Sequence, residues 1–113
     1  MTSRVLAKSE WHLYFDRIAK ALQGKRVLVE VIGLNLGDQI QAKSVMLLGI
    51  TFDHKGDLLE IALEGLDHLI HKPTAITVRE GPDGLSNLEV VDSEQRRQIV
   101  TLVSPLRLSV PHN

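Results

Sequence analysis

No cysteine occurs in the 113 residues, so disulfides, thiolate metal sites and a cysteine nucleophile are all excluded. Aromatic residues are scarce at 4%, and Trp11, Tyr14 and Phe15 fall in one short stretch, leaving Phe52 alone elsewhere. A sheet that stacks nucleobases needs aromatic side chains on its exposed face, and such a set is missing. Excess charge of one sign is missing too: 13 Lys plus Arg stand against 14 Asp plus Glu, a formal net charge of -1. Bulk electrostatics therefore draw the chain to neither nucleic acid nor an anionic membrane. The longest strongly apolar run, "VMLLGITF", is far shorter than the roughly 20 residues that cross a bilayer. The opening "MTSRVLAKSEW" holds no apolar leader segment, and these absences together predict a cytoplasmic protein with no membrane partner.

What is present suffices for one hydrophobic core: 43% of the residues are hydrophobic in a chain of one domain's length. A single domain over 1–113 is expected, with an ordered core over 9–104 and an extended tail over 105–113, where two prolines oppose regular structure. In "SEWHLYFDRIAKALQG", Trp11, Tyr14, Phe15, Ile18 and Leu22 recur at intervals of three and four, which gathers them on one face of a helix. Ser9 is the expected N-cap, Lys20 lies in the last turns, and Gly24 ends the pattern.

Beyond Gly24 the period becomes two. "RVLVEVIG" places Val27, Val29 and Val31 on one face of a strand, with Leu28, Glu30 and Ile32 partly covered on the other. "DQIQAK" and "SVMLLGITFD" follow, with Gly49 as a candidate bulge or bend where a strand could change sheets. Gly56 in "DHKGD" is expected to supply a positive φ. "LLEIALE" then turns Leu59, Ile61 and Leu63 inward, and "TAITVRE", "LSNLEVVD" and "RQIVTLVS" read as further strands. The fold class is α+β: an N-terminal amphipathic helix packed on a strongly bent antiparallel sheet or small barrel of about six or seven strands.

Chemistry is harder to find. "GLNLG" and "GPDG" have neither the glycine spacing nor the following helix and lysine of a phosphate cradle, and no serine sits in a nucleophile-elbow pattern. Glu60 and Glu64 are too far apart along a strand, about 13 Å, to act as a coupled acid/base pair. The segment "DHLIHKP" holds His68 and His71, and with Asp67 they are the weak candidates for a metal site, His54 being a further ligand to consider. Strand residues three apart point to opposite faces, however, and Pro73 biases Lys72 away from helical angles. The sharper expectation is that one of the two histidines turns inward. Protonation of the pair at an interface would make it pH-sensitive, although His71 already has Lys72 beside it.

"SEWHLYFD", "LLGITFD", "LEGLDHLIHKPTAI", "LEVVD" and "QIVTLVSPLRL" together resemble a family of small, uncharacterised bacterial proteins known as a domain of unknown function. The resemblance spans about residues 9 to 108, and its most specific parts are Trp11 and Phe15 of the helix and the segment ending in Pro73 and Ile76. It implies a compact bacterial domain and transfers no substrate or catalytic residue. The chain departs from the family at "DSEQRRQ", where a tight Asp-Gly turn is replaced by a longer polar loop. "LIHKPTAITV" is also similar to the second motif of the Sm-like RNA-binding proteins. That similarity implies a ring in which His71, Lys72 and Arg79 line an RNA-binding pore.

The leading expectation is a non-enzymatic binding or protein-interaction domain with no cofactor. Its partner is another protein or further copies of itself, met by edge strands or by strand 74–80. The binding residues on this reading are His68, His71, Lys72 and Arg79. The alternatives are an Sm-like RNA binder, which the near-neutral charge opposes, and a metal-dependent enzyme or sensor at His68, His71 and Asp67.

Overall fold

The computed structural model describes residues 2–33, 37–82 and 84–106. The chain begins with strand β1 (Thr2–Val5) and a 3-10 turn (Lys8–Glu10), which leads into helix α1 (Trp11–Leu22). Seven strands follow: β2 (Arg26–Gly33), β3 (Gly37–Asp53), β4 (Leu58–Leu63), β5 (Leu66–His71), β6 (Ala75–Gly81), β7 (Gly84–Val91) and β8 (Arg97–Leu106). All eight join in one antiparallel sheet in the order β1-β6-β7-β8-β2-β3-β4-β5. Among the described residues β1 and β5 each have a single neighbour, so the sheet is open rather than a closed barrel, and it bends enough for His68 of β5 to reach Gln98 of β8, four strands away in that order.

The expected count of about six or seven strands therefore falls short. "TSRV" forms β1 although all four residues are exposed and show no inward alternation, because it pairs with β6 from Thr2↔Glu80 to Val5↔Thr77. That pairing gives β6 a neighbour on both sides, so strand 74–80 offers no free backbone edge to another chain. The apparent break between "DQIQAK" and "SVMLLGITFD" is instead one 17-residue strand. Its first part pairs with β2 and its last part with β4, from Leu47↔Leu63 to Asp53↔Leu58. Ser44 takes a left-handed φ of 53° near the middle, and the register with β4 shifts between Leu47 and Gly49, at the bend expected for Gly49.

The helix forms where its apolar stripe is, and Trp11, Tyr14, Phe15, Ile18 and Leu22 are all buried. Its entry differs from expectation. Ser9 lies inside the 3-10 turn, and Glu10 occupies the N-cap position without a side-chain cap bond. The Glu10 carboxylate instead reaches back to accept the Ala7 N–H at 2.8 Å, satisfying a donor that the tighter turn has displaced toward the N-terminus. Gly56 is also used differently: the left-handed φ falls on Asp57, at 49°. A Cβ at Gly56 would stand 2.9 Å from Asp53 Oδ2, a crowding that the exposed Asp53 side chain can relieve by turning aside.

The inner face of the bent sheet and the helix enclose one core. Val27, Val29, Ile61, Leu63, Ile70, Ile76, Val78, Val100 and the helix stripe belong to a single buried cluster. The Trp11 ring meets Phe52 edge to face at 5.2 Å between centroids, and its Nε1–H donates to the Leu6 carbonyl at 3.2 Å. This pins the helix to β3 and to the segment after β1. Full burial of each large side chain contributes about 1.5–3 kcal/mol.

Candidate functional site

Alternation along β8 turns Gln98, Val100 and Leu102 toward the core, and the first of these is polar. Gln98 is 4% exposed and the neighbouring Asp92 2%, and they are the buried polar residues among those described. Such groups must be hydrogen-bonded to be tolerated. Asp92 begins the turn between β7 and β8. Its Oδ1 accepts the backbone N–H groups of Glu94 (2.9 Å) and Arg96 (3.0 Å), and its Oδ2 accepts Arg96 Nε–H (2.8 Å) and the Gln98 amide (2.9 Å). Burial alone would raise its pKa, yet the bonds from the Arg96 N–H and guanidinium, the Gln98 amide and the Glu94 N–H outweigh it. The carboxyl is held below its ordinary range.

An ionised Asp92 is acceptor-only, and this orients the next two groups in turn. Gln98 must aim its NH2 at Asp92, which leaves Oε1 facing His68, whose Nε2 lies 2.5 Å away. His68 therefore carries its proton on Nε2 and keeps Nδ1 as an acceptor when neutral. Such an N–H to amide-oxygen bond fixes the imidazole in one tautomer and one orientation.

This network borders an open depression of about 400 Å³ lined by Val31, Gln39, Gln41, His68, Leu69, Arg96 and Gln98. Val31 and Gln39 are register partners on β2 and β3, so the sheet's own curvature brings the β2–β3 hairpin, the turn before β8 and the β5 edge together. Both the inward His68 and the outward Leu69 border it, which places its opening at the free edge of β5. The lining is rich in amides and holds one guanidinium, a set that offers donors and acceptors to a polar guest.

The remaining sequence candidates are dispersed. His68 is half-buried beside Ile70, and His71, exposed, lies on the other face of β5 as the register partner of Leu58. Lys72 has φ 51° and donates its backbone N–H to the Asp57 carbonyl at 2.7 Å. Arg79 is exposed on β6 between Ser3 and Asn87, and β6 and β5 stand second and last in the sheet order. Asp67 is exposed opposite Ala62. Among the described residues no group of three or more His, Asp or Glu side chains could hold a metal ion.

Sequence reasoning passed over Gln39, Gln41, Asp92, Arg96 and Gln98. One signal was present: in "RQIVTLV" the inward positions run Gln, Val, Leu, so the polar residue stands where a hydrophobic one is expected. The polar loop "DSEQRRQ" that departs from the resembling family supplies Asp92 and Arg96. The strand register beside that loop is Val91↔Arg97, closed by a turn with Gln95 at φ 66°.

Fold and site define a small α+β domain, one helix on an open eight-stranded antiparallel sheet, with a polar depression at one edge. The chain belongs to a family of unknown function, DUF5335, whose model matches residues 2–111. It is 37% identical over 103 residues to an uncharacterised protein of Aquifex aeolicus (strain VF5), covering 90% of this chain and 93% of that one. No solved structure matches it. Among the described residues no helix is long and apolar enough to cross a membrane.

Proposed function

We propose that the chain is a non-enzymatic binding domain that takes an extended segment of another protein along β5, with a polar side chain of that segment seated in the depression. The observation that carries this reading is the coincidence of a free strand edge with an ordered polar pocket on the same strand. An added strand would satisfy the unpaired N–H and C=O groups of Leu66–His71, and its alternate side chains would fall beside His68. Leu66 and Leu69, 44% and 43% exposed, give the edge apolar surface to cover.

The guest side chain that suits the lining is an amide or carboxylate, which can accept from the Gln41 NH2 and from the guanidinium N–H groups of Arg96 that Asp92 and Glu94 do not take. The His68 Nδ1 acceptor favours the amide, which can also donate. Selecting displayed random peptides on the full chain tests this. Expected are peptides of alternating apolar and Asn, Gln, Asp or Glu residues that slow hydrogen exchange of the β5 amides. Leu69→Lys should weaken them by about tenfold or more by placing a charge on the edge. Peptides protecting another strand, or binding Leu69→Lys equally well, would overturn the reading.

A further inference from the structure

Alternation along β1 puts Thr2, Arg4 and Leu6 on the inner face of the sheet, beside Glu80, Val78 and Ile76 of β6. Leu6, Ile76 and Val78 are buried, but the places beyond them are charged, so the core ends at Arg4 and Glu80. Helix α1 and its N-cap bring Glu10, Leu13, Tyr14 and Arg17, spaced by three and four, to the same end. With Arg4 they line an open depression of about 250 Å³. Arg4 also borders a second depression, of about 540 Å³, with Thr2, Glu80, Gly81 and Pro82.

Tyr14, which lines the first depression, is 6% exposed. Its hydroxyl is shut off from solvent and meets no hydrogen-bond partner among the described residues, which is costly for a buried polar group. Two guanidiniums stand over its ring, Arg4 at 5.8 Å and Arg17 at 5.4 Å from the centroid. Arg4 is held loosely, 3.4 Å from Glu10 and 3.9 Å from Glu80, and Arg17 enters no ion pair among the described residues. Burial, and then the Glu80 charge, push the phenol pKa up to about 12, more than Arg17 and Arg4 pull it down. The hydroxyl therefore keeps its proton and is a donor without an acceptor.

We propose that this end of the core is a binding site for a monocarboxylate with an aliphatic body, held by Arg17, Arg4 and the Tyr14 hydroxyl. The planar fork of a guanidinium matches a carboxylate with two parallel bonds, and Arg17 has its fork to spare. Arg4 exchanges its long contacts with the glutamates for the guest, and as it turns off the ring the hydroxyl gains the acceptor it lacks. Glu10 stays in place without Arg4, since its Oε1 also accepts the Ala7 N–H at 2.8 Å. The two arginines are balanced by Glu10 and Glu80, which leaves no surplus positive charge to neutralise a phosphate dianion. Leu13, 70% exposed, gives the aliphatic body a surface to cover. The depression is smaller than the roughly 300–1,000 Å³ of a site for a drug-sized ligand, so the group that enters it is small.

Hexanoate is the probe, titrated into the full isotope-labelled chain at neutral pH with chemical shifts read residue by residue. Expected are saturable shifts centred on Leu13, Tyr14 and Arg17, with a dissociation constant of about 1 mM or below. β1 and β5 are the two ends of the sheet order, so His68 and Leu69 should not respond. Hexanamide, which keeps the aliphatic body and loses the charge, should give no shifts. Arg17→Gln, at an exposed position, should weaken binding about tenfold or more, and Tyr14→Phe about fivefold. Tyr14→Phe has a second readout: without ligand it should leave the thermal midpoint unchanged or raise it, because the hydroxyl it removes is unpartnered. The tripeptide Gly-Gly-Leu with a free and with an amidated C-terminus is run beside hexanoate. Tighter binding of the free-ended peptide assigns the carboxylate to a chain terminus, and tighter binding of hexanoate to a free acid. No shifts up to about 20 mM hexanoate overturn the proposal. So do equal binding of hexanamide or inorganic phosphate, unchanged affinity in Arg17→Gln, and a lowered midpoint in Tyr14→Phe, which would mean that the phenol is already partnered in the free chain.

Discussion

Trp11→Ala should lower the unfolding free energy by about 4 kcal/mol, measured by denaturant titration of the purified chain. The residue is 1% exposed, so the substitution leaves a cavity between helix and sheet. It also removes two specific contacts, the edge-to-face pair with Phe52 and the bond to the Leu6 carbonyl. The second loss leaves a backbone acceptor unpaired in the core, which is why Trp11→Phe should recover only part of the difference. A loss below about 1 kcal/mol for Trp11→Ala would mean that the helix is not held to β3 as described.

Asp92→Asn should cost about 3 kcal/mol, since it removes a buried charge that four donors surround. The effect on His68 is more diagnostic. The side-chain amide introduced by this substitution can keep its oxygen on the Glu94 and Arg96 N–H groups, but its NH2 then faces Gln98, whose own amide must rotate to accept. Gln98 would present NH2 to His68, and the imidazole must accept at Nε2 and carry its proton on Nδ1. Nitrogen chemical shifts of the His68 ring should therefore switch from the Nε2–H to the Nδ1–H pattern, and an unchanged pattern would contradict the described relay.

The sign of the pH dependence follows from the lowered pKa of Asp92. A depressed folded pKa contributes stability that is fully present above the unfolded value, about 3.9, and is lost as pH falls through the folded one. Acid titration of the wild-type chain should show this loss, and the Asp92→Asn variant should show less of it.

The helix was legible because its five inward side chains lie close in sequence and obey one period. The inward faces of β2 and β4 were legible for the same reason, with a period of two. What stayed hidden depends on partners distant in the chain. β1 is a strand only because β6 lies beside it, and its four exposed residues carry no pattern of their own. The bond from His68 to Gln98 spans 30 residues and exists because the sheet bends far enough to bring β5 over β8. Spacing within "DHLIHKP" sent the two histidines to opposite faces, but the inward one could be named only once that curvature was known.

Strand β3 has a consequence for how the molecule comes apart. Its backbone belongs to the ladder with β2 at one end and to the ladder with β4 at the other, and the helix packs across it. Neither half of the sheet can open fully while β3 stays in place, so the protein should behave as one cooperative unit. Amides of β3 near Leu47 and Ile50 should exchange with solvent only through global unfolding. Those of β1 should exchange through local fraying, and heat and denaturant should each produce one transition by every probe.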